Sequence, residues 1–237
     1  MDSALTQYIE FLFRWIHFLS GIVWIGMLYY FNLVQTPFFG TELGGGVKGV
    51  MTRGLVPNAM WWFRWGAMFT FLSGWLIVLM KLGHGVLLSD PYMTRILTGG
   101  LLGTLMWFNV WFIIWPAQRD FVIKSAEQVA AGGKPVDGTP DKAALAGRAS
   151  RTNTLFSIPM LLFMGSASHA PGSFLAGERD LVYWSVFAVI VLALELNAVV
   201  GPAAPARQKY LTTVSGVIHY GVLVALALYA VGIAINS

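Results

Sequence analysis

The sequence predicts an all-α fold, a polytopic transmembrane helix bundle of about six spans with both termini outside. Three observations predict it. Of 237 residues, 57% are hydrophobic and only 11% charged, with a mean hydropathy of +0.66, far from the balance of a soluble domain. Apolar runs recur that are long enough, at ~1.5 Å per helical residue, to cross a ~30 Å hydrocarbon layer. Lysines and arginines gather in alternate connecting segments, as cytoplasmic loops do. The chain is read as a single transmembrane domain, 1–237, with one polar cytoplasmic loop at about 117–151.

The first run covers about 8–31 and carries His17 at lipid depth, with Ser20, Gly21 and Gly26 leaving room for a neighbour. Thr36-Pro37 and the cluster Gly44-Gly45-Gly46 are expected to end it, and residues up to Pro57 read as a loop with a short surface helix. The second span, about 59–82, opens with Trp61-Trp62-Phe63-Arg64-Trp65, an interfacial belt. After a loop with His84 and Asp90-Pro91, the third span runs from about 95 to 115, where Pro116 halts it; Asn109 lies there among Trp107, Phe108, Trp111 and Trp115.

The segment 117–151 is helical at first, about 119–131, then rich in Gly and Pro. Arg119, Lys124, Lys134, Lys142, Arg148 and Arg151 make it the cytoplasmic loop. A short fourth span, about 152–168, ends in Ser168-His169-Ala170-Pro171. A loop with Glu178, Arg179 and Asp180 leads to the fifth span, about 181–200, which holds Glu195 and Asn197. A tight turn with Arg207 and Lys209 precedes the last span, about 210–235, with His219 in its first half. The first seven residues lack the basic region of a cleavable signal.

The chain has no cysteine, which removes disulfides, iron–sulfur clusters, thiolate catalysis and covalent c-type haem together. Its formal charge of +4 is what basic cytoplasmic loops produce, and no nucleic-acid partner is needed.

On this topology His17 and His219 lie near the membrane centre, and His84 and His169 near the outer surface. An ionisable side chain inside lipid is costly unless partnered, and imidazole is the common axial ligand of an electron-transferring b-type haem. The four histidines therefore suit one or two b-type haems: His84 with His169 and His17 with His219, or one haem with two unrelated histidines. Taken alone, His84 and His169 at a water interface are more often solvated loop residues. A copper or zinc site lacks an HxxxH pair or cysteine to support it.

Arg64, Asn109, Glu195, Asn197 and Asn32 project to the cytoplasmic half, with Arg151 and Asn153 at its rim. Two readings stand. Arg64 and Glu195 form a salt bridge while the asparagines tie helices together. Alternatively, these groups line a polar pocket in which amides and a guanidinium bind the edge of a flat anionic heterocycle while Trp107, Trp111 or Phe108 stacks on its face.

The chain resembles the amino-terminal membrane domain of the PuuD-type urate hydroxylases. The likeness is carried by the run from Arg14 to Gly26 with Tyr30-Phe31-Asn32, by Arg53-Gly54-Leu55-Val56-Pro57 with Trp61-Trp62-Phe63-Arg64-Trp65-Gly66, by Trp107-Phe108-Asn109-Val110-Trp111, and by Arg151-Thr152-Asn153 through Ser157-Ile158-Pro159-Met160 to Met164-Gly165 and Ser168-His169. The first helix alone is less specific, because HemJ-type protoporphyrinogen oxidases and CopD-type copper-export proteins open similarly. The resemblance implies a multi-pass protein of the bacterial inner membrane that hydroxylates urate to 5-hydroxyisourate and passes electrons to a c-type cytochrome. Arg64 would hold the anion, and Glu195, with Asn109 beside it, would accept a proton. The family's fused cytochrome carries Cys-x-x-Cys-His; this sequence does not, so a separate cytochrome is expected. The alternatives are a non-catalytic b-type cytochrome subunit of a larger respiratory complex, an enzyme oxidising quinol or porphyrinogen, and a transporter gated by Arg64 and Glu195.

Overall fold

The computed structural model describes residues 3–170, 180–204 and 206–235. Helix α1 runs over Ser3–Tyr29, widens to a π-helix at Tyr30–Gln35 and closes with Thr36–Phe39. Helix α2 is Glu42–Gly54 and α3 is Val56–Gly83. Helix α4 spans Pro91–Ala130 without a break, through π-helical turns at Asn109–Ile114 and Gln118–Ile123. Helices α5 (Thr139–His169), α6 (Asp180–Val199) and α7 (Val214–Ala234) complete the bundle, with a 3₁₀ turn at Lys209–Leu211 before α7.

Five of these helices are long and apolar enough to cross a membrane: α1, α3, α4, α6 and α7. The segment expected as the short fourth span belongs to α5 and is different in kind. From Thr152 to Ser157 every residue is at most 2% exposed, so protein surrounds this stretch of the helix on all sides. Facing other helices rather than lipid, α5 can carry Thr152, Asn153, Thr154 and Ser157 in succession, provided each polar group finds a partner. Its neighbours approach closely through small residues: a Cβ on Gly221 of α7 would lie 2.9 Å from the Leu155 carbonyl. Between helices in lipid such packing replaces the hydrophobic effect as the main attraction. Large apolar side chains such as Phe18, Ile22, Leu79, Val189 and Leu223 cover the outside.

Two expected helix ends are corrected. Pro37 and Pro116 lie inside continuous helices, and each directly follows a π-helical turn. Proline lacks an N–H and clashes with the carbonyl four residues back. The wider turn relieves both, because hydrogen bonds there reach five residues back, from Thr36 N to the Phe31 carbonyl and from Trp115 N to that of Val110. The Thr36 hydroxyl also donates to Phe31 O at 2.7 Å. The triple glycine, expected to end a span, lies within α2, whose N-terminus is capped by Thr41 Oγ1 accepting from Gly44 N at 3.1 Å.

The polar segment shrinks accordingly. Instead of a loop over 117–151, α4 extends to Ala130 and α5 starts at Thr139, with Gly132 and Gly138 in the left-handed region (φ 82° and 77°) making the turn. Ser125 Oγ pins that turn, bonded to Thr139 Oγ1 at 2.7 Å and accepting from Val136 N at 2.9 Å. The expected outer loop with Glu178 and Arg179 lies outside the described residues.

Candidate functional site

The helix order brings Lys48, Arg53, Arg119, Lys124, Lys142, Arg148, Arg151, Arg207 and Lys209 to one end of the bundle. A cavity of about 680 Å³ opens there, within the usual range for small-molecule sites. It is lined by Phe31, Asn32, Gln35 and Phe39 of α1, Lys48 and Thr52 of α2, Met60 and Phe63 of α3, Ile114, Gln118 and Val122 of α4, and Arg148, Ser150 and Arg151 of α5. All three π-helical turns contribute to its wall. Such turns rotate side chains out of the α register and recur at functional sites.

The lining includes cations, amides and aromatic faces but no carboxylate. Asn32 Nδ2 donates to Leu28 O at 2.9 Å and to Ser150 Oγ at 2.8 Å. Arg148 Nε donates to Ala198 O at 2.7 Å, so this guanidinium fastens α5 to α6. Arg151 donates from Nη1 to Leu211 O at 3.2 Å and has no carboxylate partner. Gln35 is 9% exposed, and its Oε1 is buried without a hydrogen bond. A buried acceptor left unpaired costs free energy, so Gln35 is an acceptor waiting for a donor.

Farther along α5, Asn109 Nδ2 donates to Asn153 Oδ1 at 2.8 Å and to Glu195 Oε2 at 3.2 Å, and Asn153 Nδ2 donates to Met106 O at 2.9 Å. The two asparagines are fully buried and Glu195 is 5% exposed. This knot joins α4, α5 and α6 at their common centre. Asn197 instead donates to Tyr210 Oη at 3.0 Å, outside the knot. Burial holds the Tyr210 phenol above its ordinary pKa, against the lowering by the Asn197 amide.

Arg64 is not part of either group. It makes no ion pair with Glu195 among the described residues; its guanidinium lies 4.1 Å from the Trp115 ring centroid, 5.2 Å from that of Trp111 and 5.6 Å from that of Trp65. Asn109 and Trp111, two residues apart, point to opposite sides of α4, one to the knot and the other to Arg64. Of the aromatic residues expected to stack on a ligand, Trp107 already lies parallel to Phe71 with centroids 4.1 Å apart, and Phe108 is exposed on the outer surface.

The histidines fall in two classes. His17 packs between α1 and α3, its Nδ1 2.9 Å from the Thr70 carbonyl and 3.3 Å from Ser73 Oγ. A carbonyl only accepts, so Nδ1 carries the proton and Nε2 the lone pair, the tautomer that binds a metal. Gly74 makes the space: a Cβ there would lie 2.9 Å from His17 Cε1. His219, also with Nδ1 on a carbonyl (Ser215 O, 2.7 Å), is exposed on α7. His84 caps the end of α3 and His169 ends α5, both exposed at the end of the bundle opposite the cavity. No hydrogen bond joins any two of the four, and among the described residues no group of three or more His, Cys, Asp or Glu gathers.

Sequence reasoning placed Asn32 and Arg151 near a pocket but missed Gln35, Gln118, Thr52 and Ser150. One signal was available: Asn32, Gln35 and Phe39 follow the i, i+3, i+7 spacing of one helix face. No curated protein and no solved structure matches the chain. A family model described as urate oxidase N-terminal matches residues 91–227, which contain the knot and the α4 and α5 walls of the cavity. That match covers more than half of the 237 residues, and the chain belongs to the urate oxidase N-terminal family.

Proposed function

We propose that the chain is a redox enzyme of the bacterial inner membrane that takes urate, or a purine anion of the same shape, into the cavity at its basic end and oxidises it to 5-hydroxyisourate. Urate and water give the product, two protons and two electrons. The observation that carries the reading is the cavity's lining: cations and amides without a carboxylate, beside Phe31, Phe39 and Phe63. Arg151 and Lys48 balance the anion, Gln35 Oε1 accepts from a ring N–H, and a phenyl face covers the purine plane. Ser150 and Asn32 fix the edge opposite. Glu195 is held by Asn109 in the knot, outside the cavity's lining, and takes no part in binding the purine.

One or two b-type haems would supply one-electron acceptance and transfer to a c-type cytochrome; the tautomer at His17 fits an iron ligand, with His84, His169 and His219 as further candidates. Thr70, Ser73 and Gly74 of α3 orient the His17 ring.

The test is a pair of variants in purified protein, read by absorbance spectrum and by calorimetric urate binding. His17→Ala is expected to lose the b-type spectrum and keep urate binding; Arg151→Gln is expected to do the reverse. A haem-containing protein that binds no urate would instead be an electron-transfer subunit of a larger respiratory complex.

A further inference from the structure

We infer that Arg64 marks a binding site for the phosphate of an anionic phospholipid on the outer wall of the bundle, distinct from the cavity. Met60 and Phe63 of α3 face the cavity, whereas Arg64, one residue on, turns to the groove between α3 and α4. Its guanidinium lies over Trp115, and Arg119 reaches the same ring at 5.8 Å. Among the described residues only one carboxylate serves these two cations: Arg119 is paired to Asp120 through two bonds of 2.7 Å. Arg64 has none, and its Nε is buried without a hydrogen bond.

Cation–π contact is too weak to replace a counter-ion for a guanidinium taken out of water. The groove opens to the surroundings of the bundle: Arg64 itself is partly exposed, and Trp61 on α3 and Phe108 and Phe112 on α4 are 48%, 46% and 58% exposed. Exposed tryptophans mark headgroup depth. A planar guanidinium with free N–H groups at that depth matches two oxygens of a phosphodiester. The acyl chains then cover Phe108 and Phe112, and the uncompensated charge selects an anionic lipid over a zwitterionic one.

The experiment is native mass spectrometry of the purified full chain with phosphatidylglycerol or phosphatidylcholine. Wild type is expected to retain phosphatidylglycerol preferentially, and Arg64→Gln to reduce that retention about fivefold, the effect of one cation at a membrane surface. Lys134→Gln, in the exposed turn between α4 and α5, is expected to change nothing. Equal retention by wild type and Arg64→Gln overturns the proposal, as does displacement of the lipid by millimolar inorganic phosphate, which would make this a soluble-anion site. If Arg64→Gln does not survive solubilisation, Arg64→Lys replaces it: losing the planar fork should lower retention about twofold, and unchanged retention overturns the proposal. Urate binding stays intact in either variant, which separates this site from the cavity.

Discussion

Two polar regions lie along the same helix, and they satisfy their hydrogen bonds in opposite ways. At the basic end of α5, Ser150 and Arg151 face a cavity where Gln35 Oε1 has no donor and Arg151 no carboxylate. One turn farther on, Asn153 accepts from Asn109 Nδ2 and donates to the Met106 carbonyl, and Asn109 Oδ1 is left buried without a partner. In a bundle surrounded by lipid, a closed polar knot secures helices, because breaking it strands its members. An unmatched group facing an open cavity can be matched by something that binds there; one sealed in the knot cannot. The difference is one of access: both regions hold an unpaired amide oxygen, but only Gln35 faces a cavity that a ligand can enter.

Breaking the knot should have the largest effect. Asn109→Leu leaves the Glu195 carboxyl and Asn153 Oδ1 without their donor and is expected to cost about 3 kcal/mol, read as a fall in thermal midpoint in detergent. Stability equal to wild type would mean that the knot does not hold the bundle. Glu195→Gln keeps the shape of the group and, because Glu195 lies outside the cavity's lining, should leave stability, urate affinity and turnover near wild type. A change in affinity instead would merge knot and cavity into one site.

Within the cavity the signs differ. Arg151→Gln should weaken urate binding about tenfold, as expected for losing a charged hydrogen bond, with little change in thermal midpoint. Gln35→Leu is the sharpest of the set and the smallest: removing an acceptor that the empty protein leaves unpaired should hold or raise stability, yet lower urate affinity about fivefold. Both quantities falling together would show that Gln35 is structural.

Much of this was legible in the chain. The apolar runs that became α1, α3, α4, α6 and α7 stood out by length, and the basic end by its lysines and arginines. Arg64 and Glu195 were legible as charges needing partners, but which partners was not. A salt bridge between them was a fair expectation from depth alone; the structure gives Arg64 three indole faces and Glu195 an amide. Pro37 and Pro116 misled because the rule for proline presumes an α-helix on its N-terminal side, and here a π-helical turn stands there.

The sequence by itself determined depth: residue counts along a helix place each side chain at a level in the membrane, and charge patterning orients the bundle. Only the tertiary structure decided direction around each axis. Every π-helical turn adds a residue to the winding and so rotates all that follows by roughly 100° relative to an α register. Asn109 and Trp111, two residues apart, face opposite sides of α4 at about 200°; that Glu195 stands on one side and Arg64 on the other, and that α5, the least membrane-like of the predicted spans, is central, followed only from packing.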